Sequence, residues 1–287
     1  VDGIVIIRMF EIAFMSYQDT TNRIVWSAPG AQRWLTAIQG FIDCGEEAAY
    51  ARVADEMRDK PILDLGVGAG RTIPLLRKIS PRYVAIDYLP SLIEVAHRKY
   101  PDADICAGDA RDLSQFADAS FALVVFSYAG IDAVDHDGRE KIFREVSRVL
   151  QPSGVFWFST LNKDGPELKR RPWNIEWPAR ESDMAGQLIT MARAIKHAID
   201  GIRNYSRLKK MQHGGDGWAI APFSSHDFGL LVHYTSLAQL RIELTAVGFY
   251  PDIEAIAPNG AQLNADADLS RVDFFNILAR KRGNTRH

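Results

Sequence analysis

The chain has 287 residues, 47% apolar and 24% charged, with a formal net charge of −2. That length supports one large domain with a sizeable core, or one domain carrying an insertion. The near-neutral balance excludes a global pull toward nucleic acid or an anionic membrane, and no apolar run approaches the ~20 residues of a membrane span. Two cysteines, Cys44 and Cys106, stand in no paired motif, which points to a reducing, cytoplasmic compartment without a disulfide framework.

The opening "VDGIVIIRMFEIAF" is too short and wrongly flanked for a signal peptide. Residues 1–14 are expected to be an upstream extension, with Met9 and Met15 as alternative starts. Residues 15–58 read as mostly helical, a lid ahead of the first strand. After Pro61, "ILDLG" reads as a buried strand and "RTIPLLRKI" as a helix with Pro74 in its first turn. "YVAIDY" (83–88) is a second strand, and "PSLIEVAHRKY" (90–100) a helix expected to start on a serine cap and an early proline. "ADICAGD" (103–109) is a third strand. "FALVVFSYA" (121–129) is a fourth, its unbroken apolar character suited to a parallel strand covered on both faces.

In "DHDGREKIFREVSRVL" (135–150), Ile142, Val146, Val149 and Leu150 share a helical face, and "VFWFSTL" (155–161) follows as a fifth strand. Helix and strand alternate from 61 to 161, the pattern of a doubly wound parallel sheet in the α/β class. The alternation breaks over 163–234, read as an inserted substrate cap whose helix carries an apolar stripe, Met184, Leu188, Met191, Ile195 and Ile199, expected to be core. It resumes at 235–249 with a capped helix, followed by strand candidates at 250–257 and 272–280. The expected organisation is therefore a lid (15–58), an α/β core (59–162), the cap (163–234) and the rest of the core (235–287).

Three glycines, Gly66, Gly68 and Gly70, sit between the first strand and its helix. Glycine tolerates positive φ and leaves no Cβ in the way, so such a turn lets backbone approach a ligand. The dinucleotide pattern G-x-G-x-x-G fails here, because its sixth position is Arg71. Asp64, at the end of the first strand, is poorly placed for a pyrophosphate and well placed for an ammonium group. Asp87, 21 residues beyond Gly66, can accept from ribose hydroxyls, and Asp109 from an adenine amino group. The three acids match, in order, an amino acid, a ribose and an adenine.

The blocks "ILDLGVGAG", "AIDYLP", "GDARDL", "FALVVFSYAGID" and "EVSRVLQPSGVFWFST" resemble the class I S-adenosylmethionine-dependent methyltransferases, in the branch acting on small molecules, over roughly 60–162 and more loosely 235–281. The resemblance implies a Rossmann-like, seven-stranded, mostly parallel sheet whose last strand is antiparallel. It implies S-adenosyl-L-methionine as cofactor and S-adenosyl-L-homocysteine as product. Gly66, Gly68, Gly70 and Arg71 would line the methionine and ribose portion, and Asp64 would meet the amino group. Asp87 would hold the ribose, Tyr88 would flank the adenine, Asp109 and Ala110 would meet its ring, and Ser127 would sit near the methionine.

A sulfonium methyl is already activated, so approach and alignment do most of the work, and a base is needed only for a protonated nucleophile. Tyr128, Asn162, His226 and His233 are the catalytic candidates, with Asp132 and Asp227 nearby. Arg170, Arg171, Trp173 and Trp177 could hold an acidic or planar acceptor. Trp218, Phe223 and Tyr234 add aromatic character. No compact metal-ligand spacing is present, and no metal is expected. The expected partner is a small molecule, without a membrane. The sequence leaves the oligomeric state open. Residues 163–213 hold eleven Lys and Arg against six Asp and Glu, which keeps RNA methylation as an alternative, although no RNA-binding module is recognisable. A non-methyl outcome at the same sulfonium, cyclisation or aminobutyrate transfer, needs the same binding residues. A noncatalytic sensor of the ligand is the remaining rival.

Overall fold

The computed structural model describes residues 16–38, 40–174, 184–264 and 266–283; the expected extension 1–14 and Trp177 lie outside them. Three helices come first: α1 (Tyr17–Ser27), α2 (Pro29–Ala37) and α3 (Cys44–Val53). The alternating unit follows as β1 (Ile62–Leu65), α4 (Ile73–Ile79), β2 (Tyr83–Asp87), α5 (Pro90–Lys99), β3 (Asp104–Ala107), β4 (Phe121–Phe126), α6 (His136–Val149) and β5 (Leu150–Asn162). Then come α7 (Met184–Leu208), β6 (His213–Gly215), β7 (Trp218–Phe223), β8 (Leu230–Thr235), α8 (Leu237–Ala246), β9 (Glu254–Ile256) and β10 (Phe274–Arg280).

Strands β3, β2, β1, β4 and β5 lie side by side in parallel, and antiparallel β10 joins β5 to β9. The two-residue period sorts the side chains cleanly. Leu63, Leu65, Val124, Phe126, Phe156 and Phe158 face one core with α6 and α8. Ile62, Leu123, Val125, Val155 and Trp157 face the other, beneath α3, α4 and α5. Every residue of β1 and β4 is buried, as a strand covered on both faces requires. Helix α6 starts on Asp135, whose carboxylate accepts from Gly138 N at 2.8 Å. Helix α5 has no serine cap: Ser91 lies inside it, Pro90 is its first residue, and Asp87 Oδ1 accepts from Leu89 N just ahead of it.

One expectation is extended and another corrected. The expected seven strands are present in the order β3-β2-β1-β4-β5-β10-β9, with β10 antiparallel, and among the described residues three further strands bring the sheet to ten. The last pairing of β4 with β5 is Phe126 with Phe158, yet β5 continues to Asn162. Past the end of β4, Leu161 and Asn162 take β8 as a parallel neighbour, and β7 and β6 continue from it as an antiparallel meander. The second half of the expected insertion is thus a branch of the main sheet. The apolar stripe of α7 is also not core: Leu188, Met191, Ile195 and Ile199 are exposed, and Gly201, Tyr205 and Leu208 are the positions that pack inward. The described contacts of α7 with the branch come from its C-terminal half, where His197 meets Asp227 and Gly201, Tyr205 and Leu208 pack inward. Among the described residues no helix is long and apolar enough to cross a membrane.

The overrun of β5 is held by Asp132, which is fully buried. Its Oδ2 accepts from Leu161 N at 2.7 Å; its Oδ1 accepts from Arg139 Nη1 and Thr160 Oγ1, both at 2.7 Å. Burial pushes its carboxyl up to about 7, against the pull of Arg139 and these bonds. Replacing Asp132 with Ala leaves the buried Arg139 guanidinium without its nearest anion, and should lower unfolding free energy by roughly 3–5 kcal/mol. Urea unfolding with an unchanged midpoint would contradict this assignment.

Candidate active site

The glycine turn lies at the C-terminal ends of β1 and β2, where sheets of this kind bind ligands. Gly66, Gly68 and Gly70 have φ of 63°, 56° and 89°, values that L side chains rarely adopt. Their surroundings differ. A Cβ on Gly66 would lie 2.7 Å from the Phe126 ring, and one on Gly70 2.8 Å from the Tyr100 ring. A Cβ on Gly68 would meet nothing nearer than 4.0 Å. Gly66 and Gly70 are therefore glycines because the protein fills the space beside them. Of the three, Gly68 has open space beside its backbone.

Asp87 closes the turn against β2: its Oδ2 accepts from Gly68 N and its Oδ1 from Leu89 N, both at 2.8 Å. Asp64 Oδ2 accepts from Thr72 Oγ1 at 2.6 Å and Tyr83 Oη at 2.7 Å, while its Oδ1 is buried with no protein partner. Burial raises both carboxyls to about 6. An unpartnered carboxylate oxygen one turn from an open glycine fits a group bearing N–H donors. The donor set therefore suits an adenosyl amino acid.

Other expected residues are already committed to the protein. Arg71 does not reach toward the glycine cradle. It forms a buried bidentate pair with Glu46 at 2.7 and 2.8 Å, and donates to Phe41 O at 2.8 Å and Ser127 Oγ at 2.9 Å. It pins α3 to the turn, and Glu46 completes the capping box of that helix. Asp109 pairs with Arg111 at 2.6 Å and lies 3.8 Å from Arg23. Burial would raise its carboxyl, but the bonds and charge of Arg111 outweigh that and hold it below the usual range. Arg111 also pairs with Asp19 of α1, and Arg23 stacks over Tyr88, 4.2 Å from its centroid. Ala110 is half-buried beside this network. Helix α1 thus straps the ends of β2 and β3. Buried Asn22 secures it, bonding Ala133 O at 2.8 Å and both Leu231 O and Leu231 N, at 2.6 and 3.0 Å.

The catalytic candidates separate in the same way. Asn162 is structural: its amide donates to Leu269 O and Val272 O, and its oxygen accepts from Asp164 N. His233 is buried in a stack with His136 and Trp218, its Nε2 lying 3.1 Å from His136 Nδ1. Burial, with Arg139 nearby, drives its pKa far down, so it is a neutral core residue. Tyr234 is buried, Arg170 pairs with Glu167 at 3.0 Å, and Trp173 is exposed against Tyr205. These residues do not converge on the crevice.

Tyr128 and His226 do come together. Tyr128 follows Ser127 at the end of β4 and lies under Arg71, 4.9 Å from guanidinium carbon to ring centroid. Trp34 of α2 contacts both Tyr128 and His226, at centroid distances of 5.8 and 5.3 Å, and Trp26 of α1 lies 4.8 Å from His226. Composition pointed to aromatics of the cap, whereas the structure recruits two tryptophans from the lid helices. Both turns are strained. Tyr128 and Ala129 have φ of 57° and 56°; His226, Asp227 and Phe228 have 52°, 53° and 54°. Left-handed backbone costs roughly 1–2 kcal/mol per non-glycine residue, and such residues gather where function over-determines the conformation. No His/Cys/Asp/Glu group among the described residues could hold a metal ion.

The doubly wound sheet and its glycine turn define a Rossmann-like ligand-binding α/β protein. Residues 62–154 match a family model described as a methyltransferase domain. A probable S-adenosylmethionine-dependent methyltransferase of Mycolicibacterium smegmatis is 30% identical over 118 residues, 41% of this chain and 44% of that one. A demethylmenaquinone methyltransferase of Paenarthrobacter aurescens is 28% identical over 121 residues, 41% of this chain and 46% of that one. The chain spans about half the length of the curated relatives it matches. The crystal structure of an S-adenosylmethionine-dependent methyltransferase from Mesorhizobium loti superposes with a TM-score of 0.54 at 20% identity, covering 83% of this chain and 98% of that one, and so shares the fold. Over residues 62–154 the chain thus carries a methyltransferase domain and is similar to S-adenosylmethionine-dependent methyltransferases.

The glycines make a discriminating prediction. Gly66→Ala should lower the melting temperature, because φ and the Phe126 contact both oppose it. Gly68→Ala should cost only the left-handed term, roughly 1–2 kcal/mol, yet remove S-adenosylhomocysteine binding. Thermal melts and calorimetric titration of both variants test this; unimpaired binding by Gly68→Ala would refute the assignment of the open face.

Proposed function

We propose that the protein transfers the methyl group of S-adenosyl-L-methionine to a small-molecule acceptor by in-line displacement, releasing S-adenosyl-L-homocysteine. When bound, the cofactor supplies a methyl activated by its sulfonium, and the acceptor's lone pair displaces it. The observation that carries this reading is the set of Gly68, Asp64 Oδ1 and Asp87 at adjacent strand ends. Gly68 would admit the ligand backbone-close, Asp64 would accept from its ammonium, directly or through water, and Asp87 would accept from the ribose hydroxyls. Tyr88 and the backbone of Asp109 and Ala110 would border the adenine. Helices α1 and α2 and the β6–β8 branch would roof the crevice and exclude water from the reacting groups. The curated relatives named as methyltransferases support the reaction class. The aromatic side chains beside Ser127 support a small acceptor.

Incubating the protein with the cofactor and a cell extract tests the reaction: one metabolite should gain about 14 mass units, the balance of a methyl for a proton. Persistent absence of any methylated product despite cofactor binding would overturn the proposal. Asp87→Ala should weaken S-adenosylhomocysteine binding by roughly 1–3 kcal/mol in calorimetric titration, as buried hydroxyls lose a charged acceptor. The raised carboxyls also give a pH signature. Asp64 and Asp87 titrate at about 6 in the fold against 3.8 ordinarily. The free fold therefore holds protons that the unfolded chain releases, and these two groups should contribute less stability as pH rises from about 4 to 6. Ligand binding needs the ionised forms, so affinity should run the other way, roughly tenfold weaker per group and about a hundredfold weaker for the pair near pH 5 than above pH 7. Asp87→Asn should flatten that slope; equal slopes in variant and wild type would argue against it.

A further inference from the structure

We propose that Trp26, Trp34, Tyr128 and His226 form the acceptor pocket, that the acceptor is a planar aromatic molecule bearing an acidic O–H or N–H, and that His226 Nε2 takes its proton. The inference rests on the methyl-transfer reading and adds to it the acceptor's chemical class and the proton's destination.

Four separate elements converge on this spot: α1, α2, the turn after β4, and the turn joining β7 to β8. Rings from independent elements pack edge-on or tilted against one another, with centroids 4.8 to 5.8 Å apart, and a flat ring would seat beside this cluster, on the faces its members leave uncovered. Tyr128 is tied to the glycine turn through Arg71, which contacts both its ring and Ser127 Oγ. The aromatic group therefore adjoins Ser127, the residue expected near the methionine portion of the cofactor.

His226 is the polar group of the set. Its Nδ1 lies 2.9 Å from Ser225 Oγ, while its Nε2 is buried with no partner among the described residues. With Nδ1 protonated and donating to Ser225, Nε2 presents a lone pair. Ser225 is then a positioning residue that orients the ring, its hydroxyl oxygen accepting from Nδ1–H. Burial lowers the His226 pKa, with only Asp227 opposing, so the ring is neutral and able to accept. The Asp227 carboxylate is bonded to His197 Nδ1 at 2.9 and 3.1 Å, and the other titratable groups nearby are Tyr128 and, beyond it, Arg71. An ordinary surface turn has no need of three consecutive left-handed residues. Here the strain delivers His226 to the tryptophans, and a buried nitrogen without a partner is what a ligand donor would satisfy. In the reaction the acceptor's lone pair forms the bond to the methyl carbon, the sulfur keeps the electrons of the broken bond, and the acceptor's proton passes to Nε2.

Three probes test the pocket by equilibrium dialysis with and without S-adenosylhomocysteine: 4-nitrophenol, 4-nitroanisole and cyclohexanol. 4-Nitrophenol should bind about tenfold tighter than 4-nitroanisole, the scale of one hydrogen bond to a group poised to become charged, and cyclohexanol should not bind measurably. Bound 4-nitrophenol should show the phenolate absorption band at a pH where the free probe is mostly neutral. The ¹⁵N shift of His226 Nε2 should move toward its protonated value, a readout that needs no variant. His226→Gly relieves the left-handed backbone, which offsets part of the lost ring packing, and should stay folded at assay temperature, while losing the phenolate band and the tenfold preference. Equal binding of all three probes, or a phenolate band surviving in His226→Gly, would overturn the proposal. Homocysteine-cofactor binding measured in parallel separates the two readings. Its loss alone would strike the methyl-transfer reading, and loss of probe selectivity alone would strike this one.

Discussion

A buried carboxylate at Asp132 lets β5 outrun its neighbour, and the architecture of the active end follows from that. A strand that extends past its partner exposes backbone donors, and in a closed core these must find acceptors. Asp132 accepts from Leu161 N on the overrun and is neutralised by Arg139 from α6. The free edge then accepts β8, and with it the meander that carries the left-handed turn of His226. Asp132 itself sits just after Tyr128 and Ala129, so one group fixes both strained turns at the crevice. A hydrophobic residue could fill the same volume, but it could not satisfy the strand's N–H or orient the arginine.

The crevice shows a division of labour among similar side chains. Asp64, Asp87 and Asp109 all end parallel strands or follow them closely, yet their environments differ. Asp64 is sealed beside two hydroxyls and keeps one oxygen free. Asp87 spends both oxygens on backbone N–H groups while retaining further lone pairs. Asp109 is neutralised by arginines that tie it to α1. Burial raises the pKa of the first two, and the third is held ionised by its arginines. The same logic separates His226, half-buried with a free nitrogen, from His233, sealed in a stack with another histidine and a tryptophan.

The lid helices owe their position to polar contacts more than to apolar area. Asn22 bonds across to β8 almost as a neighbouring strand would, and Gln18 reaches Val134 O at 2.8 Å. Arg71 and Glu46 seal α3 to the glycine turn. Such contacts fix register, because a shifted helix would leave buried amides and charges unpaired. The roof is consequently built by single residues scattered along 18–46, in helices whose own hydrophobic pattern is weak.

Local sequence determined what depends on nearest neighbours and on periodicity. The parallel core from 61 to 161, the glycine turn, the acids at the strand ends and the antiparallel strand near the C-terminus were all legible, because alternation, apolar run length and glycine spacing act over a few residues. Tertiary structure decided what depends on residues far apart in the chain. No local signal distinguished His226 from His233, or Gly68 from Gly66, since the difference lies in what stands opposite each. Arg71 looked like a ligand contact until Glu46, 25 residues away, claimed it. The stripe of α7 looked like core because periodicity reports a helix's faces and not which of them another surface covers. The branch on β5 was hidden for the same reason: strand pairing across 70 residues is chosen by complementary edges, and a sequence writes down its edges without writing down their partners.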